Sequence, residues 1–555
     1  MTHIRWQASL ALAGIFLFTL AGCSVGDHLA TSESAGSGAN GSGSGGSSGS
    51  GSGGSSGSGS GSAASSTIAL STLTGNNTAA CPASGPLPAY CQNAFTGQAD
   101  SRANVATPIF DVPAGNVSTE DPHSYLAGGA NTRIYANMML GYCTAAGSTY
   151  CDNNVQTGYN SVDANAIAAQ AQDMKNRHID GAIMTWEGDG TSEDAATLLY
   201  QNYVDSNDCD AQGCSLMYLI MYDGPSWGYT VASTGIPGTT GASCSGLTGA
   251  DFENCAVAHI RNDMCYMNGM HWGNSAYLKS NGRPVVQVFP DETVIPATGP
   301  APSWDDVWLQ IEDWNNDLPG NCAVAPYNAD NGVPLIAFEN AGGFAHQDSA
   351  GSYYWIEPAG TDPATDQFTL NISPAAQGGT LDNFLGTALT YTNQLAWSNA
   401  FKGFNSSQAA WGPGRIMDQE CGQTWIDSFS ESNQYYSSTI LPYLQIATWN
   451  DYNEGTEIES GIDNCYAISA SVLGQTLSWT LSTTNSYANL MTVSHIEIYD
   501  STDGENLTLL ASQPAAASGS WSLGNLPAGS HTLFVRMVGK NSIQNRISSG
   551  LAYSN

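Results

Sequence analysis

Positive charge is what this sequence has least of. Its 555 residues carry 13 Lys and Arg against 48 Asp and Glu, a formal net charge of −35. No stretch gathers basic side chains, so there is no footprint for a phosphate backbone, and nucleic acid is excluded as a partner. An acidic surface suits a neutral substrate and repels an anionic one. No C-x-x-C occurs and no His joins a cysteine at metal-ligand spacing, so neither a zinc site nor any other metal or cofactor is expected. The acidic stretches 187–194 and 205–210 do not follow the EF-hand order and read as solvated loops rather than calcium sites. The apolar run at 10–20 is too short to span a bilayer comfortably.

That run follows Arg5 and ends at Leu20-Ala21-Gly22-Cys23, which gives residues 1–23 the form of an export signal. L-A-G-C resembles a bacterial lipobox, and the resemblance implies lipid on Cys23; Ser24 gives no sign of inner-membrane retention, which favours an outer membrane or surface in a two-membrane cell, and the alternative is a simple secretory signal. Residues 24–66 are a Gly/Ser-rich tract that buries nothing and forms a flexible tether. The expected product is an exported lipoprotein, anchored to a membrane at Cys23 and facing the periplasm or the cell exterior. Setting Cys23 aside leaves twelve of the thirteen cysteines, an even set that favours disulfides in an exported chain. Local pairs are expected for Cys81 with Cys91, Cys143 with Cys151 and Cys209 with Cys214.

Residues 67–130 show no sustained periodicity and read as an irregular lead-in wrapping the main domain. From 131 to 462 apolar runs of strand length alternate with helical or loop segments. The candidate strands are 133–140, 181–186, 216–222, 284–289, 334–338, 353–356, 401–404 and 443–448. Helical patterns cover 162–177, 252–270, 381–397 and 423–438. Eight strand-then-helix repeats predict an α/β fold, a (β/α)8 TIM barrel with its site at the carboxyl ends of the strands; a doubly wound sheet is the rival. Residues 463–555 change to short alternating runs separated by turns such as Asp503-Gly504, which predicts a C-terminal immunoglobulin-like β-sandwich, a packing or spacer module before a polysaccharide binder.

If the barrel holds, the site wall consists of the residues just past each strand. They are Tyr142, then Trp186 with Glu187, Asp223, Asp291 with Glu292, Glu339 with Asn340, Glu357, Asn405, and last Trp449 with Asp451. Acids, amides and flat rings in that mixture suit hydroxyl pairs and the apolar faces of sugar rings. The candidate substrate-binding set is Tyr142, Trp186, Glu187, Asp223, Glu339, Trp355, Asn405 and Trp449. Asp451 and Glu454 lie three apart after the last strand, and strict alternation would send them to opposite faces. A curl at Asn453 and Gly455 would bring both carboxyl groups to one cleft, as cleavage of a glycosidic bond requires. The alternative for such a pair is a solvated acidic loop.

The segment W-N-D-Y-N-E-G-T-E-I-E, residues 449–459, resembles the strand 8 segment of glycoside hydrolase family 71, the fungal-type α-1,3-glucanases, whose pattern is close to W-N-D-Y-G-E-S. It is also similar to the N-E-W-H-E-G-T-x-I-E segment of family 99, the endo-α-mannanases and endomannosidases. Asn453 stands where family 71 has Gly, and Gly455-Thr456 follow Glu454 where that family has Ser. Ile179-Asp180-Gly181-Ala182, Tyr222-Asp223, Asn281-Gly282-Arg283-Pro284 and Tyr354-Trp355 are similar to further segments of the two families. The resemblance implies an endo-acting hydrolase of α-linked polysaccharide, α-1,3-glucan first and α-mannan second, with catalytic roles on Asp451 and Glu454. An alternative from another class is a surface glycan-binding lipoprotein that does not cleave.

Overall fold

The computed structural model describes residues 67–74, 78–79, 107–108, 116–142, 159–211, 213–223, 250–289, 334–346, 349–356, 367–368, 381–405, 416–417 and 419–555. Cys23, the leader, the tether, Asp291, Glu292, Glu357 and the pairs Cys81 with Cys91 and Cys143 with Cys151 lie outside the described residues. Eight strands form one sheet: β1 (Arg133–Met138), β2 (Gly181–Trp186), β3 (Met217–Tyr222), β4 (Arg283–Val288), β5 (Leu335–Glu339), β6 (Gly351–Tyr353), β7 (Leu395–Ala400) and β8 (Tyr443–Ile446). Each pairs in parallel with the next, and β8 pairs back to β1 through Gln445 opposite Tyr135, so the sheet closes into a barrel.

Several segments depart from the sequence expectations. The sixth strand, Gly351–Tyr353, ends where the expected range 353–356 begins. The seventh strand is Leu395–Ala400, and the helix expected over 381–397 stops at Ala388, giving α4 (Leu381–Ala388). Ser398 and Asn399 hide that strand, because polar residues interrupt the apolar run a buried parallel strand usually shows. The acidic stretches read as solvated loops overlap both ends of a helix, α2 (Ser192–Asn207), with Glu193 and Asp194 buried in its first turn. Thr191 caps it by accepting from the Asp194 amide at 3.2 Å, and acids in a first turn complement the helix dipole. The remaining helices are α1 (Ala164–Asn176), α3 (Ala250–Met267), which runs on into a π-helical turn at Asn268–Trp272, and α5 (Gln423–Tyr435).

Strand register fixes the inward face. At the amino-terminal side Tyr135, Trp397 and Tyr443 pack together, with ring centroids 5.4 Å apart for Tyr135–Trp397 and 4.2 Å for Trp397–Tyr443. Above them lies a polar layer of Asn137, Thr185, Gln287, Asn399 and Gln445, all buried. Buried amides persist only when bonded. Here Gln287 Nε2 donates to Gln445 Oε1 at 3.1 Å, Thr185 Oγ1 donates to Asn137 Oδ1 at 3.0 Å, and Asn399 and Gln445 donate to the Tyr354 carbonyl at 2.7 and 2.8 Å.

Beyond the barrel, β9 (Ala467–Leu473), β10 (Thr476–Ser482) and β13 (Ser518–Ser522) form one antiparallel sheet. A second contains β11 (Val493–Ser501), β12 (Asn506–Pro514), β14 (Ser530–Gly539), β15 (Arg546–Ile547) and β16 (Leu551–Ser554). Leu477, Trp479, Leu481, Ile496, Ile498, Leu533, Val535 and Met537 form their shared core, the arrangement of a sandwich. The start of the lead-in belongs here and not around the barrel: Thr67–Ala69 pairs antiparallel with β12, and Leu73 is buried against Tyr499, Leu507 and Phe534.

Candidate active site

The alternation that puts Thr185 and Met221 inside the barrel puts Glu187 and Asp223 on the same face two residues on, at the carboxyl end. Asp223 continues the ladder, its amide donating to the Trp186 carbonyl at 2.9 Å, and both acids are half-buried. Glu339 is the last inward residue of β5, opposite Tyr353 of β6. Trp355 follows two residues after Tyr353 and packs on Phe289, with ring centroids 5.2 Å apart. The mouth therefore gathers Glu187, Asp223, Glu339 and Trp355, and Phe289 joins them, an aromatic not anticipated as a site residue.

After β8 the Ala447–Thr448 peptide bond is cis and the chain closes into a tight loop. The Thr448 amide donates to the Thr456 carbonyl at 3.1 Å, the Thr456 amide to the Asp451 carbonyl at 3.1 Å, and the Ile458 and Glu459 amides to the Trp449 carbonyl at 3.0 and 2.9 Å. At the tip, Asp451 Oδ1 accepts from the amides of Asn453 and Glu454, both at 2.9 Å, as an Asp at the head of a turn does. That curl carries Glu454 round to follow Asp451, and the Asn405 amide holds the Glu454 carbonyl at 2.5 Å.

Tyr142 completes the arrangement. Its hydroxyl donates to Asp451 Oδ1 at 3.3 Å and accepts the Tyr452 amide at 2.8 Å. Burial pushes the Asp451 carboxyl up to about 6, with the Glu454 amide and the Tyr142 hydroxyl drawing it down and the charge of Glu457 adding to the rise. Burial, followed by the charge of Asp451, holds the Tyr142 phenol well above its ordinary value, so it stays a donor.

Three supports were not anticipated from the sequence. Lys402, buried in a chain poor in cations, pairs with buried Glu457 at 2.9 Å. Glu459 accepts the hydroxyls of Tyr159 and Tyr452, each at 2.9 Å, and burial pushes its carboxyl up to about 8, so it is mostly protonated at neutral pH. Arg177, completely buried, donates to the carbonyls of Ile458 and Glu459 at 2.8 and 2.7 Å. The scarcity of Lys and Arg was the available signal for the two cations.

Two expected sugar platforms sit elsewhere. Trp186 is the outward residue at the end of β2; its Nε1 donates to Asp194 at 3.0 Å and its ring stacks on Tyr266. Trp449 is fully buried, with the Arg177 guanidinium carbon 4.9 Å from its ring centroid. Neither ring presents a face to the mouth. Among the described residues no three His, Cys, Asp or Glu side chains are grouped to hold a metal ion.

Cys209 is bonded to Cys214, as the spacing predicted, and Cys421 to Cys465. No family profile and no curated protein matches the sequence. Solved structures do match. A family 99 endo-α-mannosidase from Bacteroides thetaiotaomicron aligns at 13% identity over 59% of this chain and 86% of its own, with a TM-score of 0.38. A glycoside hydrolase-like protein aligns at 12% over 59% and 87%, with a TM-score of 0.39. An endo-β-1,4-mannanase from Thermotoga petrophila aligns at 9% over 77% and 99%, with a TM-score of 0.28.

Proposed function

We propose that this chain is a glycoside hydrolase that cleaves α-linked polysaccharide, with α-1,3-glucan as its first substrate. One observation carries this reading: Asp451 and Glu454 share one hydrogen-bonded turn at the carboxyl end of the barrel, and the Tyr142 hydroxyl lies against Asp451. The likeness of residues 449–459 to the strand 8 segments of families 71 and 99 supports the same assignment. Glu454 is the general acid and gives its proton to the glycosidic oxygen as the bond to the anomeric carbon breaks. Asp451, ionised above about pH 6, takes the proton of the attacking water, whose oxygen bonds the anomeric carbon with inversion. The half-buried acids Glu187, Asp223 and Glu339 bind hydroxyls, and Phe289 and Trp355 offer apolar ring surface.

The protein works outside the cytoplasm, held to a membrane by lipid on Cys23. The leader supports this, and so do the bonds Cys209–Cys214 and Cys421–Cys465, which suit an oxidising compartment. Cys23→Ser then moves the protein from the membrane to the soluble fraction.

The test of the function is sugar release from insoluble α-1,3-glucan, with α-mannan and β-glucan as comparators and product configuration read by NMR. Release from α-1,3-glucan with inverted configuration supports the proposal. Release from α-mannan alone with retention moves the substrate to mannan and makes Asp451 the base for the sugar's own 2-hydroxyl. Binding without release from any of the three leaves a glycan-binding lipoprotein.

A further inference from the structure

The β14–β15 loop of the sandwich reaches the barrel where the loop after β8 ends. Asn541 is the centre of that contact. Its Nδ2 donates to the carbonyls of Glu120 at 2.6 Å and Arg177 at 2.9 Å, its amide donates to the Tyr125 hydroxyl at 2.5 Å, and its carbonyl accepts Trp425 Nε1 at 2.9 Å. Next to it the Ile462 amide donates to the Ser542 carbonyl at 2.8 Å, and the Gln544 amide returns to the Ile462 carbonyl at 2.8 Å. The Cys421–Cys465 bond joins the segment just before α5 to the first residues of the sandwich.

Arg177 carries this contact to the catalytic loop. It caps the C-terminus of α1, and its guanidinium is fixed from one side by Asp173, at 2.5 Å from Nη2 and 3.2 Å from Nε. The same planar group reaches both halves of the loop stem: the Trp449 ring on the way in, and the carbonyls of Ile458 and Glu459 on the way out. Those two residues are themselves bonded to the Trp449 carbonyl. The guanidinium makes four bonds from Nε, Nη1 and Nη2, and a lysine, with three donors on one atom, cannot make them all. Asp451 and Glu454 lie at the tip of the loop whose stem is gripped in this way.

We propose that the C-terminal sandwich is a brace for the active site, and that Asn541 and Arg177 are positioning residues that hold the segment bearing Asp451 and Glu454. Neither touches the reacting atoms. Their role in turnover rests on the hydrolase reading, whereas their grip on the loop does not. The sandwich thereby contributes to catalysis through the barrel.

The test uses the full chain as wild type, Arg177→Lys and Asn541→Ala, with hydrogen exchange of the 448–459 peptide followed by mass spectrometry and peptides from β2 and β4 as internal controls. Exchange of 448–459 rises about tenfold in both variants while the controls keep their wild-type rates. On the α-glucan, kcat falls about a hundredfold in Arg177→Lys with KM within about twofold, the mark of misplaced rather than missing catalytic groups. Unchanged exchange at 448–459, or an equal rise in the control peptides, overturns the proposal. Exchange needs no substrate, so a wild type that releases no sugar refutes the hydrolase reading and leaves this result standing.

Discussion

The Tyr142 hydroxyl lies 3.3 Å from Asp451 Oδ1 and accepts the Tyr452 amide at 2.8 Å, so one phenol both stabilises a catalytic carboxylate and satisfies the backbone of the loop that carries it. Tyr142→Phe removes both bonds. A donor to the ionised form lowers a carboxyl pKa, so its loss raises Asp451 above its value of about 6. The acid limb of kcat/KM moves to higher pH by about one unit. The Tyr452 amide keeps the Asn450 carbonyl at 3.0 Å, so the lost backbone bond costs about 0.5–1.5 kcal/mol of stability. A pH–rate profile and a urea titration measure the two effects.

Two buried carboxyls contribute strongly to how stability depends on pH. Burial pushes Glu459 up to about 8 and Asp263 up to about 7, the latter opposed by the Tyr222 hydroxyl at 2.6 Å. Between about pH 4 and pH 8 the folded chain binds more protons at these sites than the unfolded chain, so stability falls as pH rises. The contribution is fully present below the unfolded values and is lost through the folded ones. Scanning calorimetry gives a Tm at pH 5 higher than at pH 8 by roughly 5 °C or more. Glu459→Gln, which keeps an acceptor for Tyr159 and Tyr452 without a titrating group, reduces that slope.

Trp186 serves the core and not the sugar. Trp186→Ala leaves a cavity beside Tyr222 and Tyr266 and removes the donor to Asp194, which costs about 3–5 kcal/mol in urea unfolding. Folded enzyme keeps its KM within about twofold, since the ring faces the helices. A several-fold rise in KM without loss of stability would show instead that the ring touches substrate.

The barrel was legible where its strands are apolar. β2 has the expected boundaries, and β1, β3 and β4 begin within a residue of theirs, because Ile, Met, Val and Tyr fill both faces. β7 was not legible: Asn399 belongs to the polar layer under the site, and Ser398 bonds Ser432 of α5 at 2.7 Å. α2 left a usable sign in Thr191 three residues before Asp194, a capping pattern obscured by the acids that follow. The Asp451 and Glu454 spacing could be read locally. What holds it could not, because Arg177 meets Ile458 across 281 positions and Asn541 meets Arg177 across 364, and no local pattern records such contacts.

The most direct test of the paired-carboxylate site is the rate of sugar release by Glu454→Gln and Asp451→Asn beside wild type, with saccharide affinity and Tm measured on the same preparations. Each variant keeps its affinity and its fold while release falls by about a thousandfold, within the range expected for a lost acid or base. Release at the wild-type rate from either variant would contradict the assignment of Asp451 and Glu454 as the catalytic pair.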